Sequence, residues 1–285
     1  MTAFVELCCG SAALTLFAVG EHEPPCGYMG GKRVYARATA ATIGLRRPTH
    51  ITLCDAGCWG GFWAAMFGPE GDRIARMLDD FRHHLDRSRD DADAEETFFA
   101  WLASTPPPHD PADWAARFLI LQAASAHQKP VSVVGGRWRT SGFARLHAAA
   151  RRRGWHHRIR PELLAARVRA IRALPWPPVD VVHGDLALVE PIPNSIVYID
   201  PNYAGRTGYA HSVERSRLLS IAQRHAAAGA RVAVSEAEPL AIDGWHSVEL
   251  QPDGGRPRRW GATPEFLTMN CPPMWHPLKQ GALFA

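Results

Sequence analysis

The stretch Ile196-Val197-Tyr198-Ile199-Asp200-Pro201-Asn202-Tyr203 decides how this chain is read. Its first four residues are apolar and mostly β-branched or aromatic, which suits a strand buried on both faces. The run ends in a carboxylate, a proline, an amide and an aromatic ring. In an open α/β sheet, ligands bind beyond the carboxyl ends of the strands, and Asp200 to Tyr203 would stand there. Pro201 fixes its own φ and carries no N–H, so its carbonyl is available as an acceptor. A carboxylate, a carbonyl and a ring face together suit a planar amine, with two acceptors for its N–H groups and a platform for its ring. An ordinary Asp-Pro turn after a strand has the same local sequence, so the rest of the chain has to arbitrate.

Three other segments show strand-then-loop patterning. Phe4-Val5-Glu6-Leu7 reads as a buried strand, Cys8-Cys9-Gly10-Ser11-Ala12 as a tight turn, and residues 13–19 as a helix. Glycine and small residues at such a turn let a ligand approach the backbone closely, although the dinucleotide fingerprint G-x-G-x-x-G is absent. Residues 51–54 form a second strand ending at Asp55, where nucleotide-binding sheets place an acid that accepts from ribose hydroxyls; a helix N-cap would use the same residue type. Val181-Val182-His183-Gly184-Asp185 is a further strand ending in an acid. With strands also expected at 179–182, 195–199, 231–235 and 245–250, and helices at 32–43 and 213–228, the alternation predicts a mostly parallel, three-layer α/β sheet.

The middle of the chain differs in composition. A charged helical stretch at 72–102 runs to Pro106-Pro107-Pro108, followed by a helix at 113–126, a short strand at 131–134 and the loop Gly135-Gly136-Arg137-Trp138-Arg139-Thr140-Ser141-Gly142. A basic helical stretch then ends at Pro175-Trp176-Pro177-Pro178. The expected partition is therefore two sheet-forming blocks, 1–67 and 176–285, around an inserted segment, 68–175.

With 285 residues, 46% of them hydrophobic and 21% charged, the chain can bury a sizeable core and is not a disordered polymer. No apolar run is long enough to cross a bilayer. The N-terminal residues lack the basic, apolar and cleavage-site regions of a signal peptide. The expectation is a cytoplasmic protein that does not engage membranes. The six cysteines form no C-x-x-C, and Cys54-x3-Cys58 has no second pair beside it, so neither a disulfide framework nor a metal site is expected. His83-His84 and His156-His157 likewise read as surface residues.

Net charge is only +4 but is unevenly placed. Nine arginines oppose one acid, Glu162, between Arg145 and Arg172, whereas ten acids oppose five arginines between Glu70 and Glu96. A strongly basic segment beside an acidic one suggests a polyanion partner.

In this order, the four motifs resemble the Dam-type DNA adenine methyltransferases, which use S-adenosylmethionine. Asp200-Pro201-Asn202-Tyr203, then Gly205-Arg206-Thr207-Gly208-Tyr209, a helix and Val232-Ala233-Val234-Ser235 look like that family's D-P-P-Y, a G-x-T-x-x-Y-like segment and a strand ending in Ser. Phe4 to Ala13 looks like its F-[IV]-E-P-F-x-G-G-G-A cofactor strand and loop. Tyr28-Met29-Gly30-Gly31-Lys32 looks like its W/Y-x-G-G-K segment. The sequence departs from the family in three places: Asn202 replaces the second proline, Cys8, Ser11 and Ala12 replace Phe, Gly and Gly in the loop, and the G-G-K segment follows the cofactor strand instead of preceding it.

The resemblance implies a Rossmann-like methyltransferase sheet with a largely helical inserted target-recognition region. It implies methylation of the exocyclic amine (N6) of adenine in double-stranded DNA after base flipping, with no metal. Asp200, Pro201, Asn202 and Tyr203 would form the catalytic loop. Glu6, Cys8, Cys9, Gly10, Ser11, Ala12, Tyr28, Lys32, Asp55 and Asp185 would surround S-adenosylmethionine. Another planar amine (cytosine N4, RNA or a nucleotide) would suit the same loop, and a non-catalytic DNA-binding protein could retain the same scaffold. Because phosphate contacts come from cationic side chains, the expected DNA contacts are Arg137, Trp138 and Arg139 in the glycine loop, the backbone-following Arg151, Arg152, Arg153 and Arg158, and Arg206.

Overall fold

A computed structural model of the protein describes residues 2–27, 32–86, 92–125, 129–140, 160–202, 212–252 and 264–274. The elements of the first block are β1 (Ala3–Leu7), α1 (Ala13–Gly20), α2 (Ala36–Ile43), β2 (His50–Asp55) and α3 (Cys58–Phe67). The middle contributes α4 (Gly71–Asp86), α5 (Ala92–Ser104), α6 (Pro111–Ala124), the strands β3 (Ser132–Val134) and β4 (Arg137–Arg139), and α7 (Pro161–Arg172). The last block supplies β5 (Val179–His183), β6 (Ile196–Ile199), α8 (Arg215–Ala227), β7 (Arg231–Glu236), β8 (His246–Glu249) and β9 (Phe266–Met269).

Seven strands form one sheet in the order β5-β2-β1-β6-β7-β9-β8. The pairs β5–β2, β2–β1, β1–β6 and β6–β7 are parallel, and β9 runs antiparallel to both β7 and β8. Side chains alternate across the pleat. Val5, Leu7, Val197, Ile199, Val232 and Val234 face Leu218, Ile221 and Ala222 of α8. On the opposite face Phe4, Ile196, Tyr198 and Ala233 pack with Leu14 of α1 and Ala38, Ala40 and Ile43 of α2. Ile51 and Leu53 meet Trp59, Phe62 and Trp63 of α3, and the same apolar cluster continues through Phe118 of α6, Ile74 of α4 and Val168 of α7. The result is the expected mixed α/β architecture with a mostly parallel sheet, in which the helices of the middle segment form an outer layer on α3.

Several local expectations are corrected. The stretch expected to be helical at 72–102 is helical in α4 and α5, and residues 87–91 lie outside the described residues. The stretch from Lys32 opens with a single 3-10 turn, Lys32–Val34, before α2 begins. β9 falls in a segment where no strand was expected. Gly135 and Gly136 belong to a hairpin rather than an open loop, with φ of 59° and 70°, as a two-residue turn between twisted antiparallel strands requires. This hairpin turns Trp138 inward. The ring is 5% exposed and packs against Trp114 at a centroid distance of 5.5 Å. Trp138 is a core residue, so the expected ring for stacking on bases is not presented there, whereas its neighbours Arg137 and Arg139 are exposed. No described helix is long and apolar enough to cross a membrane.

Candidate active site

The strands to either side of β1 come from opposite directions of sheet growth, β2 on one side and β6 on the other. That makes the carboxyl end of β1 a topological switch point, where open α/β sheets form a crevice. Backbone hydrogen bonds lace this edge together. Asp200 N–H donates to the Leu7 carbonyl (3.1 Å), Cys9 N–H to the Cys54 carbonyl (3.0 Å) and Gly184 N–H to the Asp55 carbonyl (3.1 Å). Asp185, Asp55, the Cys8–Ala12 turn and Asp200 therefore line one rim, as the strand-ending motifs required.

The Cys8–Ala12 turn is tightly curled. Cys8, Gly10 and Ala12 all have left-handed backbone, with φ of 55°, 47° and 50°. For Cys8 and Ala12 this conformation costs on the order of 1 kcal/mol each, so the surroundings must hold it. Gly10 N–H donates to Asp55 Oδ2 (2.9 Å) and the Gly10 carbonyl accepts from Trp63 Nε1 (2.9 Å). Glu6 anchors the following helix, accepting from the Thr15 N–H at 3.1 Å and from the Thr15 hydroxyl. Glu6 is buried, and burial pushes its carboxyl up to about 8 despite those two donors, with Asp200 and Asp55 adding to the rise. Its place is beneath the turn, supporting it.

Asp55 joins the two sides of the turn. Its Oδ1 accepts from Gly57 N–H at 2.7 Å, while Oδ2 holds Gly10. Burial raises its pKa, and the N–H donors of Gly10, Gly57 and Gly60 oppose the rise. The fit with α3 is close enough that a Cβ on Gly60 would lie 2.1 Å from the Asp55 carbonyl oxygen. Asp185 sits farther along the rim. It caps the short turn Leu186–Leu188 by accepting from Ala187 N–H (2.8 Å), and its other oxygen pairs with Arg217 at 2.9 Å.

Asp200 leaves β6 into the rim and is largely buried. Lys32 Nζ stands 3.1 Å from Asp200 Oδ1 and 3.2 Å from Glu265 Oε2. The Glu265 side chain also accepts from the Ser235 hydroxyl. Burial pushes the Asp200 carboxyl up to about 7. Lys32 pulls it down, while Glu265 and Glu236 push it further up. Glu236, at the end of β7, is also raised by burial. Lys32 thus reaches this rim even though its segment follows β1 in the chain. Pro201 is buried and Asn202 partly so.

Glu265 and Glu236 were not among the residues singled out from sequence, and Ser235 was named only as the end of a strand that resembles the family's. The Ser-Glu pair closing β7 carried a usable signal, since it ends a parallel strand on the same rim. Glu265 carried none, because it precedes a strand that local patterning did not reveal. Tyr203, Tyr28, Arg151, Arg152, Arg153, Arg158 and Arg206 lie outside the described residues. The described part of the basic stretch spends its charge inside the chain. Arg169 pairs with Asp79, Arg172 with Asp72, and Arg167 donates to the Pro25 carbonyl. Among the described residues no group of three or more His, Cys, Asp or Glu side chains converges as metal ligands would. Burial raises the pKa of all six thiols, which makes them poor nucleophiles.

No known protein family matches the chain, and no curated protein resembles it significantly.

Proposed function

We propose that the protein is an S-adenosylmethionine-dependent methyltransferase acting on the exocyclic amine of adenine in DNA. One observation carries this reading: a buried carboxylate, Asp200, stands at the switch point of the sheet, hydrogen-bonded through its own backbone to the end of β1 and beside the curled Cys8–Ala12 turn. The mostly parallel seven-stranded sheet is compatible with the Rossmann-like sheet that the resemblance implies.

The rim fits a nucleoside-bearing cofactor in its donor set. A carboxylate offers about four lone-pair sites, and Asp55 uses them on the N–H groups of Gly10, Gly57 and Gly60, so about one acceptor site remains for a ribose hydroxyl. Asp185, one strand farther out, would face the adenine. The small residues Gly10, Ser11 and Ala12 would let the backbone approach the amino-acid end. S-adenosylmethionine, when bound, supplies an electrophilic methyl group. The chain's own residues do the rest. The exocyclic amine of adenine is a weak nucleophile because its lone pair is delocalised into the ring. Accepting its N–H groups at Asp200 and at the Pro201 carbonyl returns electron density to nitrogen and fixes its direction, a gain from orientation and preorganised charge. Asp200 Oδ1 is engaged by Lys32, which assigns the amine to Oδ2. As the N–C bond forms, the bond between the methyl group and the sulfonium sulfur would break, leaving a neutral thioether, and the amine proton would pass to that carboxylate.

A second reading is a smaller planar amine, in RNA or a nucleotide. The free nucleotide is favoured by the internal pairing of Arg169 and Arg172 with α4, which reduces the charge available for any nucleic-acid backbone. The test is transfer of a labelled methyl group to duplex DNA, RNA and free nucleosides, with product bases identified by hydrolysis. N6-methyladenine in DNA is expected, and the Asp200→Ala variant should lose at least about a thousandfold in kcat while still being stabilised thermally by the cofactor. Unchanged turnover in that variant removes the mechanism, and label in RNA or nucleotide alone moves the substrate to the second reading.

A further inference from the structure

The Lys32 ammonium is divided between two carboxylates, Asp200 Oδ1 at 3.1 Å and Glu265 Oε2 at 3.2 Å. Lys32 and Glu265 are both buried, and Ser235 holds the other side of Glu265 by a hydrogen bond to Oε1. Charges interact strongly where water is excluded. If neutralising Asp200 were the purpose of Lys32, a second carboxylate fixed on the same ammonium would work against it. Three strands contribute to this arrangement, since Asp200 follows β6, Ser235 ends β7 and Glu265 leads into β9, so the sharing is built into the sheet.

We propose that Glu265 is a positioning residue that tunes Asp200 through Lys32: by sharing the ammonium it keeps Lys32 from neutralising Asp200 fully, leaving Asp200 a strong acceptor for an amine N–H. The purpose assigned here rests on the reading of Asp200 as the amine acceptor. The electrostatic coupling itself does not. The groups that act on Asp200 are Lys32 ahead of α2, Glu265 before β9, Glu236 at the end of β7, and Glu6 and Cys8 at the end of β1, with Arg215 of α8 behind Glu236.

The coupling can be read without substrate by carbon-13 NMR of side-chain carboxyls in aspartate-labelled protein, the Asp200 signal being the one lost in Asp200→Asn. In Glu265→Gln the Asp200 titration midpoint should fall by about one pH unit, because the Glu265 charge no longer competes with Asp200 for Lys32. In Lys32→Met it should rise by at least as much. Glu265→Asp keeps the charge but withdraws it by one methylene, so it should fall by less than Glu265→Gln. Should circular dichroism show Glu265→Gln unfolded, Glu265→Asp decides by the same sign. A midpoint that does not move in the Glu265 variant, or moves upward, overturns the proposal, as does an unmoved midpoint in Lys32→Met. In active enzyme the acid limb of the pH–rate profile should follow the NMR midpoint. Absence of any methyl transfer by the unaltered protein, with the NMR shifts present, would instead overturn the methyltransferase reading and leave the coupling in place.

Discussion

Glu6 sits at the end of β1 with its carboxyl buried and directed at Thr15. Its pKa of about 8 against an ordinary 4.5 has a definite sign for stability. Below about pH 4.5 both folded and unfolded chains hold the proton, and the group is neutral in the balance. Between there and about pH 8 the unfolded chain releases the proton while the folded chain keeps it. The folded state then binds more protons, and stability falls as pH rises through this window. The Glu6→Gln variant keeps an acceptor for Thr15 and removes the titration. It should match the parent near pH 4.5 and exceed it by about 4 kcal/mol near pH 8, as read from urea unfolding at the two pH values. A parent–variant difference independent of pH would show that Glu6 does not titrate as described. At this scale the sequence was only half legible. The acids Asp55, Asp185 and Asp200 announced themselves by ending apolar runs. The Lys32–Glu265 pair did not, because its members are far apart in the chain and meet only once the sheet brings β9 against β7.

At the scale of elements, the β2–α3 junction controls the rim. Gly57 precedes α3 and donates to Asp55, while Gly60 presses its backbone against the Asp55 carbonyl. A methyl group 2.1 Å from a carbonyl oxygen cannot be accommodated, and because the obstacle is backbone, either α3 or the end of β2 must move. Gly60→Ala should cost about 2 to 4 kcal/mol in urea unfolding, well beyond the helix-propensity gain of about 1 kcal/mol that alanine brings. It should also disturb the Gly10–Asp55 bond, raising the amide exchange rate of Gly10. A stability equal to or above that of the parent would mean that the junction is looser than its geometry. Periodicity located this junction well, since an apolar run ending in Asp and then Gly-rich sequence reads as strand-to-helix. It failed at β4 and β9. β4 is three residues long with an arginine on either side of its tryptophan, and β9 is preceded by a proline and a glutamate. Both owe their strand form to a partner across the pair rather than to their own pattern.

At the scale of the molecule, the expected partition into a sheet-forming part and an inserted helical region meets a continuous apolar core. Ile51 and Leu53 of the sheet, Trp59, Phe62 and Trp63 of α3, Phe118 of α6, Ile74 of α4 and Val168 of α7 belong to one cluster of buried residues. The ring packing crosses the boundary without a gap, with Trp59 edge-on to Phe118 at 5.1 Å and Phe62 tilted against Phe118 at 6.4 Å. Separating the helical layer from α3 would expose these aromatic faces to water, at about 25 cal/mol for each Å2 of apolar surface. The charge pairs between α4 and α7 add little, being partly exposed. The helical segment and the sheet should therefore unfold together. Tryptophan fluorescence, to which five of the ten tryptophans (Trp59, Trp63, Trp114, Trp138 and Trp176) contribute from around this core, and far-ultraviolet circular dichroism, which reports on sheet and helix alike, should give coincident urea transitions with the same midpoint and slope. A fluorescence transition that precedes the loss of secondary structure would mean that the helical layer comes away from a sheet still folded. The apolar contacts across α3 would then be too weak to make the two parts one cooperative unit.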